Sequence, residues 1–192
     1  MQNFDFISIY DALSELYEAK NNNKNKKAAT SQGPTFSDHI ESICTPLSDI
    51  IHGAPKEKSG FLLYASPKFI DQLSEFRATY PATEIDKLQS TMCRSLEFLT
   101  NSGVIIHKDL CTEPLNSVSD CDWGWRLGKI AGTPVRSHVI LPHDNVSGNK
   151  YFIVSTLFLH RREKWTQAEN TMGNSEYDKI YSFYGKQLKK TS

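Results

Sequence analysis

Three short runs in the second half of the chain constrain its fold most: Trp123-Gly-Trp-Arg-Leu127, Val135-Arg-Ser-His-Val-Ile-Leu141 and Tyr151-Phe-Ile-Val-Ser-Thr-Leu-Phe-Leu159. Each is rich in β-branched and aromatic residues, and turn chemistry separates them: Gly132-Thr-Pro134 before the second and Asp144-Asn-Val-Ser-Gly-Asn149 before the third. Short spacers of this kind join antiparallel neighbours, so the segment predicts three consecutive antiparallel strands.

Upstream, the period changes from two to between three and four. Phe61-Leu-Leu-Tyr-Ala65 reads as a strand, and Ser66-Pro67 supplies a cap and a first-turn proline for a helix with Phe69, Ile70, Leu73 and Phe76 on one stripe. A second helix, capped by Thr83, carries Ile85, Leu88, Met92, Leu96 and Leu99 and stops near Asn101-Ser-Gly103. The expected class is α+β: a β-α-α-β-β-β core with an antiparallel sheet packed on two helices, plus an N-terminal helical extension and a C-terminal helix. The expected divisions are 1–58, 59–165 and 166–192.

In the extension, an amphipathic helix is expected from Asp5 to Lys20, followed by a polar linker over about 21–35. A second helical piece runs from Ser37 to Ile51, restarted at Thr45-Pro46, where Thr caps and Pro opens the new helix. The C-terminal helix is expected from Ser175 to Lys190, with lysines at its end as the helix dipole favours.

With 192 residues and 39% hydrophobic side chains, the chain can form one ordinary core, and no apolar run approaches the roughly 18 residues of a membrane span. The start, Met1-Gln-Asn-Phe-Asp-Phe-Ile-Ser8, has neither a basic leader nor an apolar stretch, so a cytoplasmic location is expected, with no membrane partner. Cys44, Cys93, Cys111 and Cys121 match no CxxC metal pair, and a reducing compartment disfavours disulfides; free, buried or half-buried thiols are expected. No metal or cofactor is predicted.

Charge is balanced, 22 basic against 22 acidic side chains, which argues against a chain-wide nucleic-acid surface. Its distribution is uneven. From Arg126 to Lys164, seven basic residues (Arg126, Lys129, Arg136, Lys150, Arg161, Arg162, Lys164) face only Asp144 and Glu163. Strand arginines also serve simply to keep a sheet soluble and to block edge pairing.

The strand and Ser-Pro helix start over 61–73, Trp125-Arg-Leu127, the strand Gly132-Thr-Pro-Val-Arg-Ser-His-Val139 and the closing Leu159-His-Arg-Arg-Glu-Lys-Trp165 occur in the order found in the RelE/ParE superfamily of toxin–antitoxin proteins, which residues 60–165 resemble. The resemblance implies a toxin held by a cognate antitoxin. In the RelE branch it implies an endoribonuclease, an mRNA interferase that inhibits translation by cutting mRNA on the ribosome. In the ParE branch it implies a non-catalytic inhibitor of DNA gyrase. A third implication is a catalytically silent relative with an interaction role.

RNA scission of this type uses the 2′-hydroxyl against the adjacent phosphate, so the protein must orient it, move protons and stabilise a dianionic phosphorane. Motif matching places Arg126, Arg136 and Arg161 at the family's basic positions, and an imidazole suits proton transfer at neutral pH. The expected catalytic residues are His160, Arg161 and Arg136, with RNA or phosphate contacts from Arg126, Lys129, Arg162 and Trp165. Adjacent strands can bring Arg126, Arg136 and Arg161 onto one face, where their forked donors suit phosphate oxygens. His138 and His143 are weaker acid–base candidates.

Two positions depart from the family pattern. Trp165 stands where ribonuclease members carry a tyrosine, and an indole can only donate a hydrogen bond. Gly128 takes the place of a second basic residue, with Lys129 one step on and expected on the opposite face. Trp123, Trp125 and Trp165 can stack on bases, although tryptophans in strands more often pack in cores. The helix Asp5 to Lys20 either covers part of the toxin-like surface or adds an accessory layer or dimer contact.

Overall fold

A computed structural model describes residues 33–99, 112–115, 123–162 and 164–188. The chain divides after Thr35, and the unit beginning at Phe36 carries every element below. The expected helix over 5–20, most of the linker, Cys111 and Cys121 lie outside the described residues.

In chain order the elements are α1 (Phe36–Ile43), β1 (Thr45–Pro46), α2 (Leu47–Ile50), β2 (Glu57–Lys58), β3 (Phe61–Ala65), α3 (Pro67–Thr79), α4 (Ala82–Glu97), β4 (Thr112–Pro114), β5 (Trp123–Ile130), β6 (Thr133–Ile140), β7 (Lys150–Val154), β8 (Phe158–Leu159) and α5 (Gln167–Leu188). The class is α+β. The strands form one sheet of order β1-β3-β7-β6-β5-β4, with β2 paired to β3 and β8 to β6.

That sheet is mixed, not antiparallel as expected, because β7 inserts between β3 and β6 and runs parallel to β3. The reason is legible in β7 itself: Tyr151, Phe152, Ile153 and Val154 are all buried, a continuous apolar run that needs cover on both faces. The cover also differs from the expected two helices. On one face α3 and α4 pack Phe69, Leu73, Leu88, Met92 and Leu96 against Leu63, Trp125, Leu127, Val139, Phe152 and Val154. On the other, α1 and α5 place Phe36, Ile40 and Ile180 against Ile140, Tyr151 and Ile153.

Local signals set most boundaries. Ser66 caps α3, its Oγ accepting from the Phe69 amide at 3.3 Å, with Pro67 in the first turn. By contrast α4 starts at Ala82 behind Pro81 with no side-chain cap, so Thr83 lies inside the helix, which ends at Glu97. Thr45-Pro46 forms a short strand against β3, and Thr45 is not a cap. The expected start of α5 at Ser175 moves two turns earlier. Thr166 and Glu169 form a reciprocal capping box: the Glu169 amide donates to Thr166 Oγ1 at 3.2 Å and the Thr166 amide to Glu169 Oε2 at 2.6 Å.

The expected strand from Tyr151 to Leu159 is two strands. Between β7 and β8, residues Ser155-Thr156-Leu157 bulge, and side chains replace the lost ladder bonds. Thr156 Oγ1 accepts from the His138 amide at 3.0 Å, Gln72 Oε1 from the Leu157 amide at 2.8 Å, and Ser66 Oγ donates to the Ser155 carbonyl at 2.7 Å.

Candidate functional site

The face opposite α3 and α4 carries most of the candidate side chains. Arg126 of β5 and Arg136 of β6 are directly opposed partners, Arg126 exposed and Arg136 half-buried. Beyond Arg126 the ladder slips, and Gly128 adopts φ +96°, a left-handed conformation that glycine takes without strain. The slip rephases the strand. Leu127 and Ile130, three residues apart, both enter the core of the α3/α4 face, and Lys129 pairs with Pro134, two residues before Arg136. Lys129 therefore shares the face of Arg126 and Arg136, correcting the expectation that it points away. The β5–β6 turn is tight, with Ala131 and Gly132 both at positive φ and the Ala131 amide donating to Glu84 Oε2 at 2.7 Å.

On the other side of β6, Phe158 of β8 is the partner of Arg136, and the His160 amide donates to the Pro134 carbonyl at 2.8 Å. His160 thus continues the β8 register onto the face that carries Arg136. It is only 4% exposed, and its Nδ1 lies 3.0 Å from Glu169 Oε1. Burial raises the pKa of Glu169, but hydrogen bonds from the Thr166 backbone, His160 and the Thr166 side chain outweigh it and hold the carboxyl below its usual range. A carboxylate only accepts, so Nδ1 is the donor of this contact and Nε2 is the ring nitrogen left clear of Glu169.

Trp165 closes over this corner. Its ring centroid lies 4.7 Å from that of His138, 5.5 Å from His160 and 5.6 Å from Phe158. It also lies on Gly124: a Cβ there would sit 2.3 Å from Trp165 Cζ2. His138 is fully buried; its Nδ1 lies 2.7 Å from Thr156 Oγ1, and its Nε2 has no hydrogen-bond partner among the described residues. Burial pushes its pKa from 6.5 down to about 4, against an upward pull from Glu169, so its ring is neutral at pH 7.

Arg161, Arg162 and Lys164 follow in the loop to α5, all exposed; Arg161 lies past β8 and off the ladder of Arg126 and Arg136. His143 is exposed, beyond the other end of β6, bridged to Lys150. Trp125 is a core residue, edge-to-face with Phe152 at 5.5 Å, and Trp123 packs on the same core. Of the four cysteines, Cys44 is buried and Cys93 half-buried, both free thiols.

Glu169, Thr166, Thr156 and Gly124 were not anticipated. Thr166-Gln-Ala-Glu169 is a capping-box signature readable in sequence, whereas the close approach at Gly124 leaves no such mark. Among the described residues no three His, Cys, Asp or Glu side chains gather closely enough to hold a metal, and no helix is long and apolar enough to cross a membrane. Comparison with protein-family models, with curated proteins and with solved structures finds no match to this chain.

Proposed function

We propose that the chain is a RelE/ParE-like toxin, inhibited by a cognate antitoxin, that cuts mRNA on the ribosome with the β5–β6 cations holding phosphate beside His160. The observation that carries this reading is the Gly128 bulge, which turns Lys129, the partner of Pro134, onto the face shared by Arg126, Arg136 and His160. Arg126 and Arg136 face each other across the ladder, and forked donors from two adjacent strands suit the oxygens of one phosphodiester. The order β3-α3-α4-β4-β5-β6-β7 keeps the strand-helix-helix-strands plan of that family with the short strand β4 added.

In the proposed reaction His160 Nε2 takes the proton of the 2′-hydroxyl, and the 2′-oxygen bonds to phosphorus as the bond to the 5′-oxygen breaks. The products are a 2′,3′-cyclic phosphate and a 5′-hydroxyl, whose proton comes from solvent or the imidazolium. Glu169 orients the imidazole and stabilises its cation, while Arg126, Arg136 and Lys129 neutralise the phosphorane.

Purified protein with translating ribosomes and a reporter mRNA should give cuts ending in a cyclic phosphate. Arg126→Ala with Arg136→Ala should slow cutting about 100-fold; His160→Ala should abolish most of it. No product from the wild type, or cutting indifferent to these changes, sinks the reading. The 4% exposure of His160 beneath Trp165 favours a second one, a ParE-like inhibitor of DNA gyrase that uses the same cations without chemistry. Loss of gyrase supercoiling without RNA cleavage would select it.

A further inference from the structure

Away from the histidines, a cleft of about 850 Å³ opens between α1, α5 and the start of α3. Its size is that of a small-molecule site. Ile43, Pro67 and Ile180 contribute apolar wall, and Ser42 and Asn174 contribute polar groups. His39 Nε2, 3.3 Å from the Lys179 carbonyl, ties α1 to α5 across it.

Glu176 lines this cleft and is 3% exposed. Burying a carboxylate is costly unless its oxygens are well paired, and an ionised carboxylate offers about four acceptor positions. Its ion-pair partner is Lys179, one turn on, whose side chain is 63% exposed. Its ammonium meets Glu176 Oε1 at 2.5 Å, so it fills one of those acceptor positions, while the lysine itself stays largely in solvent. Cys44, also in the wall, has its thiol pushed up to about 12, first by burial and then by the charge of Glu176, so it is not a nucleophile here.

We propose that this cleft binds an organic cation, an ammonium or guanidinium on an apolar stem, with the head on Glu176 and the stem along Ile43, Pro67 and Ile180. The ligand's head takes the place of the Lys179 ammonium, which swings into solvent. The same chemistry comes from a free amine or from a lysine or arginine side chain of a partner polypeptide.

Titration calorimetry of the full chain with hexylamine tests it, with hexanol as the neutral isostere and the peptide acetyl-Leu-Lys-Leu-amide as the second source. Hexylamine should bind and hexanol should not. Glu176→Gln should weaken hexylamine about tenfold or more, and Lys179→Ala, which removes the internal competitor, should tighten it. A peptide that binds more tightly than hexylamine assigns the site to a partner's side chain, and the reverse assigns it to a free amine. If Glu176→Gln does not fold, Lys179→Ala alone decides: hexylamine binding left unchanged or weakened by it overturns the proposal. So does equal binding of hexylamine and hexanol, or no heat with either wild type or Lys179→Ala.

Discussion

The two faces of the sheet are held by different physics. Under α3 and α4 the contacts are almost wholly hydrocarbon and aromatic, from Phe69 and Leu73 to Trp125 and Phe152. The opposite face buries polar groups among its apolar ones: His138 and His160 with Glu169 at one end, and Asp144 at the other, accepting from Ser37 at 2.8 Å and Ser147 at 2.7 Å. Nondirectional packing tolerates no void but asks little of orientation, whereas each buried polar group is stable only in one arrangement of partners. The first face therefore rests on close packing alone, and the second also on the arrangement of its polar partners.

Breaking the first face should have the largest effect. Leu73 is fully buried beneath the sheet, and Leu73→Ala leaves a cavity that costs about 3–5 kcal/mol. Urea denaturation should show the midpoint falling with little change in slope. A loss under about 1 kcal/mol, within the range of a surface substitution, would mean that the α3/α4 layer is not the stabilising one.

The second face should respond to pH where the first does not. Unfolded, His138 takes up a proton below about 6.5; folded, it does so only below about 4, because the imidazolium would be fully buried. The unfolded chain binds more protons in that interval, so stability is complete above pH 6.5, declines as pH falls through the interval, and levels off below 4. The decline amounts to about 3 kcal/mol. Asp144, held below its ordinary value by hydrogen bonds from Ser147 and Ser37 that outweigh its burial, loses its contribution at lower pH still. Stability measured from pH 7 to 4.5 should fall more in wild type than in His138→Gln. Parallel curves would show that His138 is not the group responsible.

This contrast also explains how far the sequence could be read. The first face obeys periodicity: Phe69, Leu73 and Phe76, then Ile85, Leu88, Met92 and Leu96, repeat at helical spacing, and Ser66-Pro67 marks where α3 starts. The second depends on where strands slip. Nothing in Arg126-Leu-Gly-Lys129 announces that Gly128 will rephase β5 and turn Lys129 toward Arg126, because a bulge is set by pairing with a distant strand. The parallel pairing of β3 and β7, eighty-nine residues apart in register, is equally nonlocal. His160 is legible as a candidate from its chemistry, but its partner Glu169 stands out only where α5 starts at Gln167 and not at Ser175. The box Thr166-Gln-Ala-Glu169 carried that information.

A smaller perturbation acts where the second face is closed. Gly124 has an ordinary backbone conformation, so it is needed for space and not for its φ: an added Cβ would meet Trp165 Cζ2 at 2.3 Å, Cη2 at 3.0 Å and Leu115 Cδ2 at 3.1 Å. A rigid indole cannot give way by a few tenths of an ångström, so Gly124→Ala should push the Trp165 ring off β5. Overpacking of this kind costs about 1–3 kcal/mol. Gly33→Ala, which meets nothing within 4 Å, is the matched control and should be silent. Displacing Trp165 should shift tryptophan emission to longer wavelength and open His138 and His160 to solvent, so that diethyl pyrocarbonate modifies them faster than in wild type. If His160 is the base, uncovering its imidazole should leave RNA cutting less reduced than stability. Unchanged emission and unchanged imidazole reactivity would show that the contact with Gly124 does not hold the corner shut.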